Sequence, residues 1–474
     1  MGLKRNIAYN SILTLSNYLF GLLLLPYVSR TLGVDRIGIV DFVSHIVSYA
    51  IIIASLGIPT IGIRAIAKSK NSREALNSTF SSMICLNLIY TLFTLVLFTL
   101  VSLFVDAFSA YRPLLLIGAI HIFASPFLIE WLYKGLEDFR YITYRNISVR
   151  LVYVLAVFLF VNSREDYILY YGLTVGTIVL NAAINICHAS KYATFSFSAI
   201  RISSYFTGSI GYGAYLLLTS MYSSLSVIYL GLYTDTTQVG YYSIAIKLFH
   251  VIVGFFSAFT AVVMARSSAL IAADNRQTHR VLIEKSMNLL LSVTVPIIVV
   301  CEILAPQIIG LIAGEEFLPA VPIMRIIMPL VLFVGLDQIL AYQVLVPLER
   351  DKWLFQASLV GLAVGCTLNI LLVKHLSARG TAWALLGTEL VLAAYYLTRA
   401  RQLGLRRNGL APNLLRHLLH SIPYAVICLT VNRFTDGMLY TTGLCGALCT
   451  VYFLFDQFLL LRNEIFINLL NRHK

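Results

Sequence analysis

Two cationic side chains lie within one long apolar segment of this sequence. Lys247 and His250 are three positions apart, so a helix places them on one face, with Gly254 and Ser257 further along it. A charged side chain in an apolar segment is costly and needs a counter-charge. Lys247 therefore indicates either a site for an anionic ligand or a structural ion pair with an acid such as Asp337.

A second ionisable pair lies in another apolar segment. Asp41 and His45 are four positions apart and share one helical face. Ionisable groups on a spanning helix should face a watery cavity or the interior of a helix bundle. The pair is predicted either to line a cavity or to form a local contact that helps two helices pack.

Further basic residues stand at the ends of apolar segments. They are Arg30, Arg64 and Arg266. Each either contacts a ligand or extends its charged end to the membrane surface. The candidate substrate-binding residues are therefore Lys247, His45, Arg64, Arg30, Arg266 and His250.

Several other charges lie inside the predicted spans, where each costs at least ~2.5–3.5 kcal/mol. The candidates for ion coupling or for charge pairs are Asp41, Asp337, Glu130, Arg150, Glu302 and Glu389. Glu130 stands beside Trp131 and Lys134, so a purely interfacial role is its alternative. For Glu302, Glu389 and Asp456, ion coupling and buried hydrogen bonds are equally open.

The composition indicates a multi-pass membrane protein. Hydrophobic residues make up 59% of the chain and charged residues 12%, against roughly 25% charged in a soluble domain. The net charge of +13 resides in short loops rather than on one face of a domain, so no nucleic-acid partner is expected. No CxxC pair, phosphate-binding loop or hydrolase motif occurs, which predicts no metal, no cofactor and no enzymatic activity.

Apolar runs of spanning length divide the chain into an all-α membrane fold of about fourteen helices. The runs are 7–29, 37–58, 79–104, 113–132, 142–161, 166–187, 209–232, 239–265, 286–312, 320–346, 353–373, 380–398, 414–432 and 438–461. They group as six, six and two. The predicted domains are a six-helix lobe at 1–200, a second at 201–400 and two extra helices at 401–474.

A weak internal repeat supports a duplicated bundle. At a fixed offset of 202 positions, Gly38 matches Gly240, Ser55 matches Ser257, and Arg64 matches Arg266. Hydropathy and loop lengths agree with this pairing, and a polar helix in each half is a common plan for secondary transporters. The basic residues concentrate in alternate loops, which predicts that both termini are cytoplasmic.

Several segments resemble the Wzx-type polysaccharide (O-antigen repeat-unit) flippases, in the superfamily that also holds the MATE transporters and the lipid II flippase. The resemblance runs nearly end to end. It is carried by Ser29-Arg30-Thr31-Leu32-Gly33, Leu56-Gly57-Ile58-Pro59, Glu130-Trp131-Leu132-Tyr133-Lys134-Gly135-Leu136-Glu137, Val239-Gly240-Tyr241-Tyr242-Ser243-Ile244-Ala245 and Gly314-Glu315-Glu316-Phe317.

This resemblance implies two pseudo-symmetric six-helix lobes around a central cationic cavity, to which Lys247, His45 and Arg64 would contribute. The implied function is to move undecaprenyl-pyrophosphate-linked oligosaccharide units across the bacterial inner membrane by alternating access. An ion gradient (H⁺ or Na⁺) or the membrane potential would drive it. The expected partners are the lipid-linked oligosaccharide, membrane lipids, a polysaccharide polymerase and a chain-length regulator.

Two other functions are alternatives. A MATE-type cation-coupled drug exporter should have net acidic cavity helices, whereas the eighth predicted helix carries Lys247 and His250. A membrane polysaccharide polymerase or glycosyltransferase usually needs a sizeable external loop with catalytic residues, and no such loop is predicted.

Overall fold

The computed structural model describes residues 3–404 and 410–461, and in that part of the chain the regular structure is helical, with no strand. This confirms the all-α membrane class. Residues 1–240 and 241–474 form two compact units. The division at 200 and 400 that the sequence suggests stays a prediction.

The first unit is built from long apolar helices joined by short turns. Its helices are α1 (Leu3–Ser55), α2 (Ile58–Ser69), α3 (Arg73–Phe104), α4 (Arg112–Ala124), α5 (Glu130–Gly135), α6 (Phe139–Phe160), α7 (Tyr167–Ala189) and α8 (Ser203–Tyr233). Helix α9 (Thr236–Ala272) begins in this unit and continues into the second.

The second unit is also helical, with two π-helical segments. After α9 come α10 (Arg276–Ile303), α11 (Ala305–Ile312), α12 (Val321–Ile327), α13 (Leu330–Gln338), α14 (Asp351–Gln402), α15 (Leu410–Phe434) and α16 (Met438–Phe455). The π-helices, Ile339–Leu345 and Asp456–Leu460, directly follow α13 and α16. Helix α15 packs along α10, and buried Cys428, Cys445 and Cys449 lie between α15 and α16.

The described residues contain ten helices apolar and long enough to cross a bilayer, or eleven if the bent pair Glu315–Ile327 and Leu330–Leu345 is one span. Two of them, Leu19–Ser69 and Asp351–Gln402, have 51 and 52 residues. At ~1.5 Å per residue each is more than twice the ~30 Å hydrocarbon thickness. Each therefore has the length for two crossings, and the count of fourteen stays a prediction.

Both long helices break where the sequence predicts a loop. Gly33, with φ 76° and ψ 173°, interrupts α1 between the predicted spans 7–29 and 37–58. Ser377, with φ 49° and ψ −129°, interrupts α14 between 353–373 and 380–398. The left-handed φ at position 33 is open to glycine at little cost, which explains why the chain turns there.

Candidate functional site

A pocket of about 500 Å³ opens between α2 and α8 in the first unit. Its lining is Ile61, Arg64, Ala65, Lys68, Ser69, Tyr205, Gly208 and Tyr212. Arg64 and Lys68 are one helical turn apart on α2, so their charged ends share one face. No acid lines the pocket, and its two ionisable cations give it a positive character.

The orientation of α2 follows from its buried face. Ile58, Gly62 and Ile66 are buried, and their spacing of four places them on one side of the helix. A Cβ at Gly62 would lie 2.9 Å from the Trp131 ring, so glycine allows the close approach. Arg64 is two positions beyond Gly62, which turns it about 200° away from the core and towards the pocket.

A strained turn sets the start of α2. Gly57 has φ 79° and precedes Ile58 and Pro59 at the first helical positions. Proline is favoured there because the first N–H groups of a helix have no intrahelical acceptor, so the N–H that proline lacks costs no hydrogen bond. A Cβ at Gly57 would lie 2.8 Å from the backbone N of Gly213 on α8, so this glycine also lets α8 approach and form the second wall.

The α8 wall is held by hydroxyl contacts. The Tyr205 hydroxyl lies 3.2 Å from Thr79 Oγ1, which in turn lies 2.8 Å from Ser69 Oγ. Tyr90 on α3 contacts Ser209 on α8 with 2.8 Å between the hydroxyl oxygens. These contacts fix Tyr205 at the pocket edge.

The two pocket cations have no ion-pair partner among the residues that the structure describes, and both side chains are exposed. Nearby Lys70 differs, since its Nζ lies 2.9 Å from Glu137 Oε1. The hydrogen bond and charge of Lys70 lower the pKa of the Glu137 carboxyl. Glu137 is thus paired outside the pocket, while Arg64 and Lys68 remain available to an anion.

Glu130 belongs to a separate ion-pair network at the start of α5. Its carboxylate lies 2.9 Å from Lys134 Nζ and 2.8 Å from Arg145 Nη2. The Arg145 side chain is only 2% exposed and also donates to Asn185, which donates to the Leu128 carbonyl. The network ties α5, α6 and α7 together, so it accounts for Glu130 as a structural anchor.

Two other predicted residues are found along the interior of the first unit. Asp41 is half-buried near Tyr170, which neighbours Tyr153. Arg150 is near both Tyr153 and Glu130. Tyr170 and Tyr153 therefore lie between Asp41 and Arg150.

His45 and Arg30 lie on either side of the kink in α1. His45 is half-buried and Arg30 is exposed, and each has a polar or electrostatic partner. Neither lines the pocket between α2 and α8.

The remaining candidates lie in the second unit. On α9, Lys247 is half-buried, and His250 and Arg266 are exposed. Arg325 Nε donates to the backbone carbonyl of Glu302 at 3.0 Å, and the role of the Glu302 carboxyl stays a prediction. Asp337 faces Glu389, and no donor among the described residues reaches either Asp337 carboxyl oxygen. The alternative pairing of Lys247 with an acid such as Asp337 stays a prediction.

Of the eight residues that line the pocket, the sequence singled out only Arg64 as a candidate site residue. Lys68 falls in a predicted loop, yet α2 continues to Ser69. Tyr205 and Gly208 precede the predicted span 209–232, yet α8 begins at Ser203. The spacing of Tyr205, Gly208 and Tyr212 by three and four is the helical signal that marks this wall.

Comparison with known proteins identifies the family. A model described as "Polysaccharide biosynthesis protein" matches residues 3–270, and one described as "MatE" matches residues 213–371. A protein of Escherichia coli (strain K12) named "Putative O-antigen transporter" is 26% identical over 415 residues, which cover 85% of this chain and 97% of that protein. A Shigella dysenteriae protein of the same name is 22% identical, with 83% and 99% covered.

Solved structures share the fold. The lipid II flippase MurJ in an inward closed conformation superposes with a TM-score of 0.77 at 15% identity, over 96% of this chain and 99% of that one. A MATE structure in the straight conformation gives 0.56 at 13% identity, over 85% and 96%. The resemblance to Wzx-type flippases is confirmed, and the chain belongs to the polysaccharide biosynthesis protein family.

Proposed function

We propose that this protein is a flippase for undecaprenyl-pyrophosphate-linked oligosaccharide repeat units. It moves them from the cytoplasmic to the periplasmic leaflet of the bacterial inner membrane by alternating access, with both of its own termini in the cytoplasm. The observation that supports this most directly is the pocket whose α2 wall carries Arg64 and Lys68 without described counter-ions.

The chemistry of the pocket suits a pyrophosphate that carries sugars. Arginine binds phosphate oxygens through a planar fork of N–H donors, and lysine adds a point charge. Tyrosine rings offer an apolar face and a hydroxyl to a sugar. Tyr205 and Tyr212 supply both on the α8 wall. The prenyl chain needs no polar site, because it stays in the hydrocarbon.

A cation-coupled drug exporter is the second candidate. The MATE-like fold and the "MatE" match over residues 213–371 favour it. A cationic drug needs a carboxylate or an aromatic cage, however, and the pocket has no acid. The charge of the pocket therefore favours an anionic substrate. A polymerase or glycosyltransferase has no specific observation in its favour.

The driving force belongs to the same proposal. Moving an anion out of a negative interior is favoured by ~2.3 kcal/mol per charge per 100 mV. An H⁺ or Na⁺ gradient is the other source of energy. The lipid-linked product would pass to a polysaccharide polymerase and a chain-length regulator on the periplasmic side.

A liposome assay tests the function. Purified protein is reconstituted with labelled undecaprenyl-pyrophosphate oligosaccharide, and the rate at which the label reaches the opposite leaflet is measured. The Arg64→Ala/Lys68→Ala variant should lose about tenfold or more of this rate, because each charge-assisted contact contributes ~1.5–3 kcal/mol. Lys70→Ala is the matched control, since it removes an adjacent cation that is already paired with Glu137.

Two results would contradict this proposal. Equal losses in Lys70→Ala and the double variant would mean that the pocket has no special role. Uptake of a cationic dye without any lipid movement would favour the drug exporter.

A further inference from the structure

Three residues of α8 form one wall of the pocket between α2 and α8. Tyr205, Gly208 and Tyr212 all line it, and their spacings of three and four place them within about 60° of one another around the helix axis. Each tyrosine stands about one helical turn from Gly208 along that axis. The α8 wall is therefore a stretch of bare backbone with an aromatic side chain on either side.

Packing between the helices does not require a glycine at position 208. A Cβ at Gly208 would lie 3.5 Å from Ile61 Cδ1 on α2, which is an ordinary van der Waals distance. Gly213 on the same helix differs, because a Cβ there would lie 2.6 Å from Leu56 Cγ. Glycine is among the least favourable residues inside a helix, and Gly208 is exposed. The space beside Gly208 thus belongs to the pocket.

The two walls run in opposite directions along the pocket. Ile61, near the start of α2, lies opposite Gly208. Ser69, at the end of α2, is linked to Tyr205 through Thr79, with 2.8 Å and 3.2 Å between the hydroxyl oxygens. The pocket therefore has one end at Ser69 and Tyr205 and another at Ile61 and Gly208.

The two cations stand between these ends. Arg64 is one helical turn from Ile61, and Lys68 is one turn further along α2, next to Ser69. An anion bound by both side chains would lie beside Gly208 along the pocket rather than over it. A group joined to that anion and extending towards Ile61 would reach the bare backbone.

A sugar ring has the chemistry that suits this surface. Its C–H faces pack on an aromatic ring, and its hydroxyls need hydrogen-bond donors and acceptors. Tyr205 and Tyr212 offer both a ring and a hydroxyl. Gly208 adds a position where the helix backbone can approach a ligand closely, because no side chain intervenes.

We propose that Gly208 is a specificity-determining residue, whose missing side chain admits a sugar ring of the substrate between Tyr205 and Tyr212. The ring lies against the α8 backbone, while the pyrophosphate lies on the α2 wall. A side chain at position 208 would occupy the volume of the ring. This inference rests on the proposed flippase function, because it takes the anionic substrate to carry a sugar.

Binding to the purified full-length protein in detergent tests this assignment. The probes are radiolabelled undecaprenyl pyrophosphate and the same lipid bearing one N-acetylhexosamine, and the wild type should bind the sugar-bearing lipid more tightly. Gly208→Leu should weaken that binding about tenfold or more, because even one surplus methylene in a pocket has an effect of this size. The Kd of the sugar-free lipid should stay the same, whereas Arg64→Ala/Lys68→Ala should weaken the binding of both probes.

Gly211 provides the matched control. It is also exposed on α8, and a Cβ there meets nothing within 4 Å, but it does not line the pocket. Gly211→Leu should therefore leave both affinities unchanged. Gly208→Ala should lose part of the preference for the sugar, although alanine favours a helix more than glycine does. Such a loss could not be attributed to misfolding.

Three results would overturn the assignment. They are no change or an equal change in both affinities with Gly208→Leu, an equal loss of sugar preference with Gly211→Leu, and a wild type that binds both probes equally. In each case, binding that depends on Arg64 and Lys68 would still support the proposed function. A wild type that binds neither probe would contradict the proposed function itself.

Discussion

Thr237 donates a hydrogen bond of 2.5 Å to Asp35, and the two residues are 202 positions apart in the chain. Gly38 and Gly240 are separated by the same interval. A Cβ on Gly38 would lie 3.0 Å from the Gly240 nitrogen and 1.7 Å from the Thr236 carbonyl oxygen. Repeat-related segments of α1 and α9 therefore pack backbone to backbone, in a contact that the internal repeat alone does not predict.

This close approach has a measurable consequence. Gly38→Ala should force the start of α9 away from α1, because its methyl group overlaps a backbone atom that cannot move alone. In an Asp35→Cys/Thr237→Cys protein, the yield of oxidative cross-linking should then fall several-fold. Gly21→Ala is the control, since a Cβ there meets nothing within 4 Å. An unchanged yield with Gly38→Ala would contradict the contact.

Cysteine labelling checks the predicted orientation. Asn71 lies in the exposed turn between α2 and α3, and Ser109 lies between α3 and α4. With cytoplasmic termini, a membrane-impermeant reagent applied outside intact inner-membrane spheroplasts should label Ser109→Cys and not Asn71→Cys. The reverse pattern would invert the topology.

Polysaccharide display tests the relative importance of two predicted residues. Lys247→Ala should abolish surface polysaccharide at normal protein level, because it removes a cation from an apolar helix where an anionic ligand needs one. Asp41→Asn should have a smaller effect, since an amide still makes hydrogen bonds beside Tyr170. If Asp41→Asn proves the more damaging change, an ion-coupling acid in the first unit becomes the better explanation.

The Glu130 network predicts a stability effect that is separate from transport. Glu130→Gln leaves the buried Arg145 guanidinium without its carboxylate, at a cost of ~3 kcal/mol or more for a broken buried pair. Lys134→Ala should cost less than ~1 kcal/mol, because that pair is a third exposed. Thermal unfolding in detergent measures both. Equal shifts in Tm for the two variants would mean that Arg145 does not depend on Glu130.

The sequence predicted the membrane class and the break at Gly33, because long apolar runs and a loop with glycine are local signals. It placed the start of α8 too late. The segment from Ser203 to Tyr212 is rich in Ser, Tyr and Gly. Three of its residues, Tyr205, Gly208 and Tyr212, line the pocket, which only the fold reveals.

Only one residue of the pocket, Arg64, could be predicted from the sequence. Arg64 stands out as a basic residue at the end of an apolar segment, whereas Tyr205 joins it through the packing of α2 on α8. The proximity of Asp337 to Glu389 likewise depends on how α13 packs against α14. Charge in an apolar run identifies Arg64, but no sequence pattern links it to the uncharged residues of α8, which lie far along the chain.

The close packing of α2 against its neighbours also limits which of its positions can be substituted. Trp131 leaves no volume beside Gly62, and Ile66 leaves none beside Gly135, so most substitutions at these glycines would displace the helix that carries Arg64 and Lys68. Gly208 on the opposite wall is less constrained, with the Ile61 side chain 3.5 Å from the position of a Cβ. If the proposed function holds, sequence differences among relatives that move different oligosaccharides should therefore concentrate on α8, whereas Gly62 and Gly135 should be retained.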